Sequence, residues 1–130
     1  MDLKDKQTTK NKHFSYSLDF AISGLKVAFK EERNLRFHIC SLIAVCLLGV
    51  ILKLSLNEWL WILLSAVLVI VAELANTALE NTVDMVTNYH FHPLGKKVKD
   101  IGAGMVLVQA LFALIVGCFI FVPKLYHLFF

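Results

Sequence analysis

Three carboxylates and one amide interrupt an otherwise apolar segment of the sequence at spacings of three, four and four residues: Glu73, Asn76, Glu80 and Asp84. An α-helix turns by about 100° per residue, so these positions fall within an arc of about 80° on one side of a helix. The resulting stripe is about 16 Å long and runs from the interior of the apolar segment to one of its ends. We call these four residues the acidic stripe.

The acidic stripe predicts a site for a divalent cation and for phosphate. Charged groups inside a bilayer cost several kcal/mol, so they usually face protein or water and have partners. Mg²⁺ binds carboxylate oxygens and keeps positions open for phosphate oxygens, which would relieve the repulsion between the acids. The sequence also offers cationic side chains to meet phosphate charge. These are Arg36, Lys96, Lys97 and Lys99.

Two other interpretations of the acidic stripe remain open. Polar side chains can simply hold transmembrane helices together through hydrogen bonds, and acids in a membrane can also line a proton or cation conduit. Neither accounts for a second acidic pair at Glu31 and Glu32 or for the pair Lys99–Asp100. The sequence contains no P-loop, no GxGxxG fingerprint, no serine elbow and no HExxH motif. A nucleotide site would therefore have to be built in another way.

The composition places the acidic stripe in an all-α integral membrane protein. The chain has 130 residues, of which 58% are hydrophobic and 18% charged, whereas soluble domains carry about 25% charged residues. Three apolar blocks, at about 35–54, 59–86 and 101–122, each provide the roughly 20 residues that a transmembrane helix needs. Three spans exclude a soluble enzyme and a nucleic-acid-binding protein. The five histidines suit interface and loop positions, with a ligand-binding role left open as the alternative.

A single membrane-embedded domain over residues 1–130 also includes an N-terminal surface helix. Between residues 14 and 32 apolar positions recur at spacings of three and four, while Lys26 and Lys30 lie on the other face. This pattern is typical of an amphipathic helix on a membrane surface, although a helix packed on a partner would show it too. Residues 1–13 are polar and Lys-rich, which predicts a flexible tail without a signal peptide.

The distribution of basic residues predicts the orientation of the spans. Eight of the thirteen Lys and Arg residues precede or open the first span, and three more lie in the predicted loop 87–100, which Pro93 and Gly95 interrupt. The positive-inside rule therefore places the N-terminus and this loop in the cytoplasm. The short hairpin at residues 54–58 and the C-terminus then face outside.

The acidic stripe resembles the signature of a known family. The run from Glu73 to Asp84, ELANTALENTVD, is similar to the pattern E-x-apolar-N-[ST]-A-apolar-E-x-x-V-D of prokaryotic diacylglycerol kinases. The sequence KDIG beginning at Lys99 resembles the element that opens the last span of this family. Three further residues resemble its N-terminal region: Gly24, Glu32 and Arg36. The resemblance covers roughly residues 14–122.

This resemblance implies a homotrimer in a bacterial plasma membrane that transfers the γ-phosphate of ATP to a lipid hydroxyl. It implies that Glu73 is the catalytic base, and it assigns Arg36 together with Glu73 to the lipid substrate. Glu32 and Glu80 would hold the Mg²⁺ that accompanies ATP. Six further residues would line the nucleotide and its phosphates: Asn76, Asp84, Tyr89, His90, Lys99 and Asp100.

Two segments favour undecaprenol as the lipid acceptor. The run from Glu32 to His38, ERNLRFH, and the turn His92-Pro93-Leu94 resemble Gram-positive members of the family, which are undecaprenol kinases. Diacylglycerol is the alternative acceptor, and no nucleic-acid partner is expected. The sequence departs from the family pattern at His13, where an arginine can occur, at Phe20, where a tyrosine is expected, and in a loop that is one residue longer.

Overall fold

The computed structural model describes residues 14–129, apart from the side chains of Ser15 and Phe129, and all regular secondary structure in this range is helical. The four helices are α1 (Phe14–Glu31), α2 (Arg33–Ile51), α3 (Leu56–Thr87) and α4 (Pro93–Phe129). Helices α2, α3 and α4 are each long and apolar enough to cross a membrane. The predicted all-α class with three such helices is therefore confirmed. The predicted tail 1–13, including His13, lies outside the described residues.

Helix α1 belongs to one compact unit and helices α2–α4 to another. Helix α1 covers almost the whole of the predicted segment 14–32, and Lys30 lies in its last turn, where a cation interacts favourably with the helix dipole. Its location on a membrane surface stays a prediction.

In the second unit, α3 packs against both α2 and α4. Leu54, Ile62 and Phe121 form a small buried core near the α2–α3 hairpin. Gly49 lets α2 approach there, because a Cβ at this position would lie 2.8 Å from Trp59 Cη2. Many apolar side chains outside this core are exposed, as expected where lipid rather than protein covers them.

The α2–α3 connection is a short hairpin, as the sequence predicts, but it comprises residues 52–55 rather than 54–58, because α3 begins at Leu56. Ser55 caps α3 in a capping box: its N–H donates to Glu58 Oε2 (2.7 Å), and the Glu58 N–H donates to Ser55 Oγ (3.4 Å). Lys124 Nζ of α4 lies 3.1 Å from Glu58 Oε2. The last turns of α4 are thereby tied to the first turn of α3.

The α3–α4 connection is much shorter than predicted. The loop expected at 87–100 comprises only residues 88–92, because Pro93 begins α4 instead of breaking a helix. Proline suits the first turn of a helix, where its missing N–H has no helical partner. Gly95 is also helical and lies close to α3, since a Cβ there would be 2.9 Å from Val83 Cγ1. Lys99 and Asp100 consequently lie on α4, close to the end of α3.

Candidate active site

The acidic stripe lies on α3 at the face where the other two spans pack. Glu73, Asn76 and Thr77 are buried, with 4%, 8% and 7% of their surfaces exposed. Glu80 and Asp84, nearer the C-terminal end of the helix, are half-buried. Because a buried carboxylate in a membrane needs partners, the contacts of Glu73 indicate what the site can do.

A histidine on α2 contacts Glu73. His38 Nε2 lies 3.4 Å from Glu73 Oε1, and the two side chains are 21% and 5% exposed. The ring of Phe37 meets that of His38 edge to face, with centroids 5.7 Å apart. His38 is a histidine to which the sequence assigns no specific role, and in the structure it contacts the deepest acid of the stripe.

Two other predicted residues lie near enough to influence Glu73. The carboxylates of Glu32 and Glu80 both repel that of Glu73, whereas His38 attracts it when protonated. Glu32 precedes α2 in an extended conformation and caps that helix only through its backbone. Among residues 14–129, no group of three or more His, Cys, Asp or Glu side chains is arranged to hold a metal ion.

Asn76 links the stripe to α4. Its Nδ2 donates to Glu80 Oε1 at 2.9 Å. Its Oδ1 is buried without a hydrogen-bond partner in the described part of the chain, and it faces the backbone of Gly102. The amide is therefore fixed between two helices, with one buried oxygen that has no partner among the described residues.

A second group of predicted residues lines a cavity of about 470 Å³ at the α3–α4 connection. Asp84, Lys99 and Asp100 line it from the helices, and Tyr89 and His90 line it from the loop. Lys99 Nζ donates to Asp84 Oδ1 at 2.7 Å, and Lys96 pairs with Asp100 one turn apart. The cavity thus has two ammonium groups on its wall, each held by a carboxylate.

Tyr89 and Asn88 have positive φ angles of 61° and 49°. Asn88 ends α3 as a left-handed cap whose N–H donates to the Asp84 carbonyl, a common way to terminate a helix. His90 Nδ1 lies 2.8 Å from the Asn88 carbonyl oxygen. This compact turn places Tyr89 and His90 beside the N-terminal end of α4.

The remaining predicted residue, Arg36, lies one turn into α2. Its backbone N–H donates to the Glu32 carbonyl at 3.3 Å, which places it at the same end of the helix as Glu32. The structure therefore distributes the predicted residues over two neighbouring regions. One contains Glu32, Glu73, Asn76 and Glu80, and the other is the cavity at the α3–α4 connection.

An apolar cavity of about 520 Å³ lies between α2, α3 and α4 and reaches His38. Its walls are mostly aliphatic, and two serines also line it. The hydroxyls of Ser41 and Ser65 donate to carbonyl oxygens of their own helices, at 2.9 and 3.0 Å. Because these hydroxyls are already engaged, the cavity suits a hydrocarbon chain.

The sequence matches known proteins over most of its length. The family model for prokaryotic diacylglycerol kinase matches residues 19–121. An undecaprenol kinase from Bacillus subtilis is 42% identical over 96% of this chain and 100% of its own length. A diacylglycerol kinase from Synechocystis is 38% identical over 86% of this chain and 64% of its own length. A diacylglycerol kinase from Helicobacter pylori is 33% identical over 74% of both chains.

Proposed function

The chain belongs to the prokaryotic diacylglycerol kinase family and is a multi-pass membrane lipid kinase, and we propose that it converts undecaprenol to undecaprenyl phosphate with ATP. The observation that carries this choice is the match over the full length of an undecaprenol kinase. Diacylglycerol is the second candidate acceptor, favoured by relatives that bear the name diacylglycerol kinase. A cation conduit is no longer needed to explain the acidic stripe.

In this proposal Glu73 is the general base. The lipid hydroxyl oxygen attacks the γ-phosphorus, the bond to the bridging oxygen of ADP breaks, and the hydroxyl proton passes to the Glu73 carboxylate. The burial of Glu73 supports the assignment, because a shielded carboxylate reacts with a positioned hydroxyl in preference to bulk water. The apolar cavity ends at His38, which contacts Glu73. A lipid chain in that cavity would therefore bring its head group to the base.

Mg²⁺ fits the oxygen donors around the stripe. We assign Glu32 and Glu80 as its protein ligands, and the buried Asn76 Oδ1 is a further oxygen beside Glu80. Hard oxygen ligands of this kind are those that Mg²⁺ prefers. When bound, the ion would neutralise charge on the β- and γ-phosphates.

The cavity at the α3–α4 connection is the proposed nucleotide site. Asp84 holds the Lys99 ammonium at its wall, where the ammonium can donate to phosphate oxygens. Asp100, Tyr89 and His90 line the same cavity and are proposed to contact the nucleotide. Arg36 is proposed to act on the lipid head group, at the end of α2 that also contains Glu32.

The wider organisation is part of the same proposal. We place the N-terminus and the α3–α4 loop in the bacterial cytoplasm, from the distribution of Lys and Arg. Helix α1 would lie on the membrane surface, and three copies of the single 130-residue domain would form a homotrimer, as the family resemblance implies.

The decisive experiment compares the two acceptors directly. Purified protein in detergent receives ATP, Mg²⁺ and either undecaprenol or diacylglycerol, and the rate of lipid-phosphate formation is measured for each. We expect kcat/KM to be higher for undecaprenol. A higher value for diacylglycerol would assign the alternative acceptor, and phosphorylation of neither lipid would refute the proposal.

A further inference from the structure

We propose that His38 is a positioning residue for phosphoryl transfer, which holds the Glu73 carboxylate in the orientation that accepts the lipid proton. The inference rests on the proposed function, in which Glu73 is the base. It goes beyond that function by giving a role to a histidine outside the acidic stripe and outside the nucleotide cavity.

His38 of α2 contacts Glu73. Ionised carboxylates at Glu32 and Glu80 repel the Glu73 carboxylate, whereas protonated His38 attracts it. The contact joins His38 Nε2 to Glu73 Oε1 at 3.4 Å across the α2–α3 interface, where the Glu73 side chain is only 5% exposed. In such a shielded place, this contact opposes rotation of the Glu73 carboxylate.

The contact also decides which oxygen of Glu73 is presented to the substrate. When Nε2 of His38 carries a proton, it can donate toward Oε1, and Oε2 is left to take the hydroxyl proton. His38 lines the apolar cavity as well. It therefore contacts both the base and the space proposed for the lipid chain.

A purely structural role for His38, as a link between α2 and α3, predicts a different result on substitution. Loss of a link between the two helices lowers the thermal stability of the protein and impairs nucleotide binding and phosphoryl transfer together. Loss of orientation lowers kcat while nucleotide binding stays intact, because misplacement of a catalytic group by about 1 Å can cost a factor of about 100.

The experiment uses two polar substitutions that differ in where they place a donor. The side-chain amide of His38→Gln can reach the Nε2 position, whereas that of His38→Asn reaches only the Nδ1 position. We expect kcat within about 5-fold of wild type for His38→Gln and at least about 20-fold lower for His38→Asn. The KM for ATP should stay within about 2-fold in both variants.

Two controls complete the design. His127→Gln changes a histidine on the exposed end of α4 and should leave kcat and thermal stability unchanged. The double variant His38→Asn/Glu73→Gln should be no slower than Glu73→Gln alone, because His38 acts through Glu73.

A kcat for His38→Asn equal to that of wild type would overturn the inference. It would also be overturned if kcat fell equally in His38→Asn and His38→Gln and thermal stability fell with it. Failure of the proposed function is distinguishable from either result. It would appear as wild-type protein that phosphorylates neither undecaprenol nor diacylglycerol, or as normal kcat in Glu73→Gln. Both of these outcomes would also remove the role of His38.

Discussion

Gly102 on α4 lies directly against the amide of Asn76 on α3: a Cβ atom at position 102 would clash with Asn76 Oδ1. The contact holds Asn76 so that its Nδ2 donates to Glu80. Gly102 therefore fixes a polar residue of the proposed metal and nucleotide site without contacting a ligand itself.

Gly102→Ala should impair the use of MgATP more than it impairs folding. The added methyl group displaces the end of the Asn76 side chain, which can rotate away at the cost of its hydrogen bond to Glu80. We expect the KM for MgATP to rise by about 10-fold or more, since a hydrogen bond to a charged group contributes about 1.5–3 kcal/mol. Steady-state kinetics at varied MgATP measure the change.

Gly104→Ala is the matched control for this prediction. It lies two residues further along α4, and a Cβ there meets no atom within 4 Å. Its KM for MgATP should equal that of wild type. Equal KM values for both alanine variants would mean that the approach of Gly102 to Asn76 has no functional consequence.

Lys99→Met should weaken nucleotide binding by at least about 10-fold. The substitution removes an ammonium group from the wall of the proposed nucleotide cavity and leaves Asp84 without its 2.7 Å partner, so a carboxylate then repels the phosphates. A charge-assisted hydrogen bond contributes about 1.5–3 kcal/mol, which corresponds to a factor of about 10 to 100. Binding of a non-hydrolysable ATP analogue measures the effect.

Lys97→Met tests whether charge alone explains such a loss. Lys97 is exposed and does not line the cavity, so its substitution should change affinity by at most about 2-fold. Similar losses in Lys97→Met and Lys99→Met would replace the proposed site by a general attraction of ATP to a basic surface.

The placement of the acidic stripe on one helix was predictable from the sequence, because one helix fixes its own spacing. Residues three and four apart share a face of any helix, and the predicted stripe from Glu73 to Asp84 is indeed on α3. Pairing across helices was not predictable. The contact of His38 with Glu73 depends on how α2 and α3 are aligned, and a histidine in an apolar block gives no sign of its partner.

The start of α4 was mispredicted for a related reason. Pro93 and Gly95 usually indicate that a segment is not helical, yet both residue types also occur at specific positions within helices. Proline fits the first helical turn, and Gly95 permits a close approach to Val83. Only the packing of α4 against α3 decides between these uses, and it places Lys99 beside Asp84.

Glu32→Gln and Glu80→Gln should each raise the Mg²⁺ concentration needed for half-maximal activity, by about 5-fold or more. Each substitution removes one hard anionic ligand while keeping the size of the side chain. In Glu80→Gln the hydrogen bond from Asn76 Nδ2 can be retained through the new amide oxygen. Initial rates at saturating ATP, titrated with Mg²⁺, measure the requirement.

Glu31→Gln serves as the control for the metal ligands, because it removes a neighbouring exposed carboxylate that the proposal leaves out of the site. Its Mg²⁺ titration should coincide with that of wild type. If the curves of Glu32→Gln and Glu80→Gln coincide with it too, these two residues do not bind the metal.

The orientation of the spans can be tested with single cysteines. After replacement of Cys40, Cys46 and Cys118 by alanine, Asn57→Cys in the first turn of α3 should react with an impermeant maleimide in intact cells. Lys97→Cys should react only after the cells are opened, because the loop and the start of α4 are proposed to face the cytoplasm. The reverse labelling pattern would place the proposed nucleotide site outside the cell, where cytoplasmic ATP cannot reach it, and would contradict the proposal.

Glu73→Gln should abolish phosphoryl transfer and leave nucleotide binding nearly intact. A neutral amide fills the same volume and can still accept a hydrogen bond from His38, but it cannot take a proton from the lipid hydroxyl. We expect kcat to fall by about 100-fold or more, while affinity for an ATP analogue changes by less than about 3-fold.

The same substitution should not weaken the helix bundle. It removes the repulsion that Glu73 experiences from Glu32 and Glu80, and a neutral amide costs less inside a membrane than a carboxylate. Thermal unfolding and size-exclusion chromatography of Glu73→Gln beside wild type test this expectation. Near-normal kcat would show that another group accepts the proton, whereas loss of both nucleotide binding and assembly would make Glu73 a structural residue.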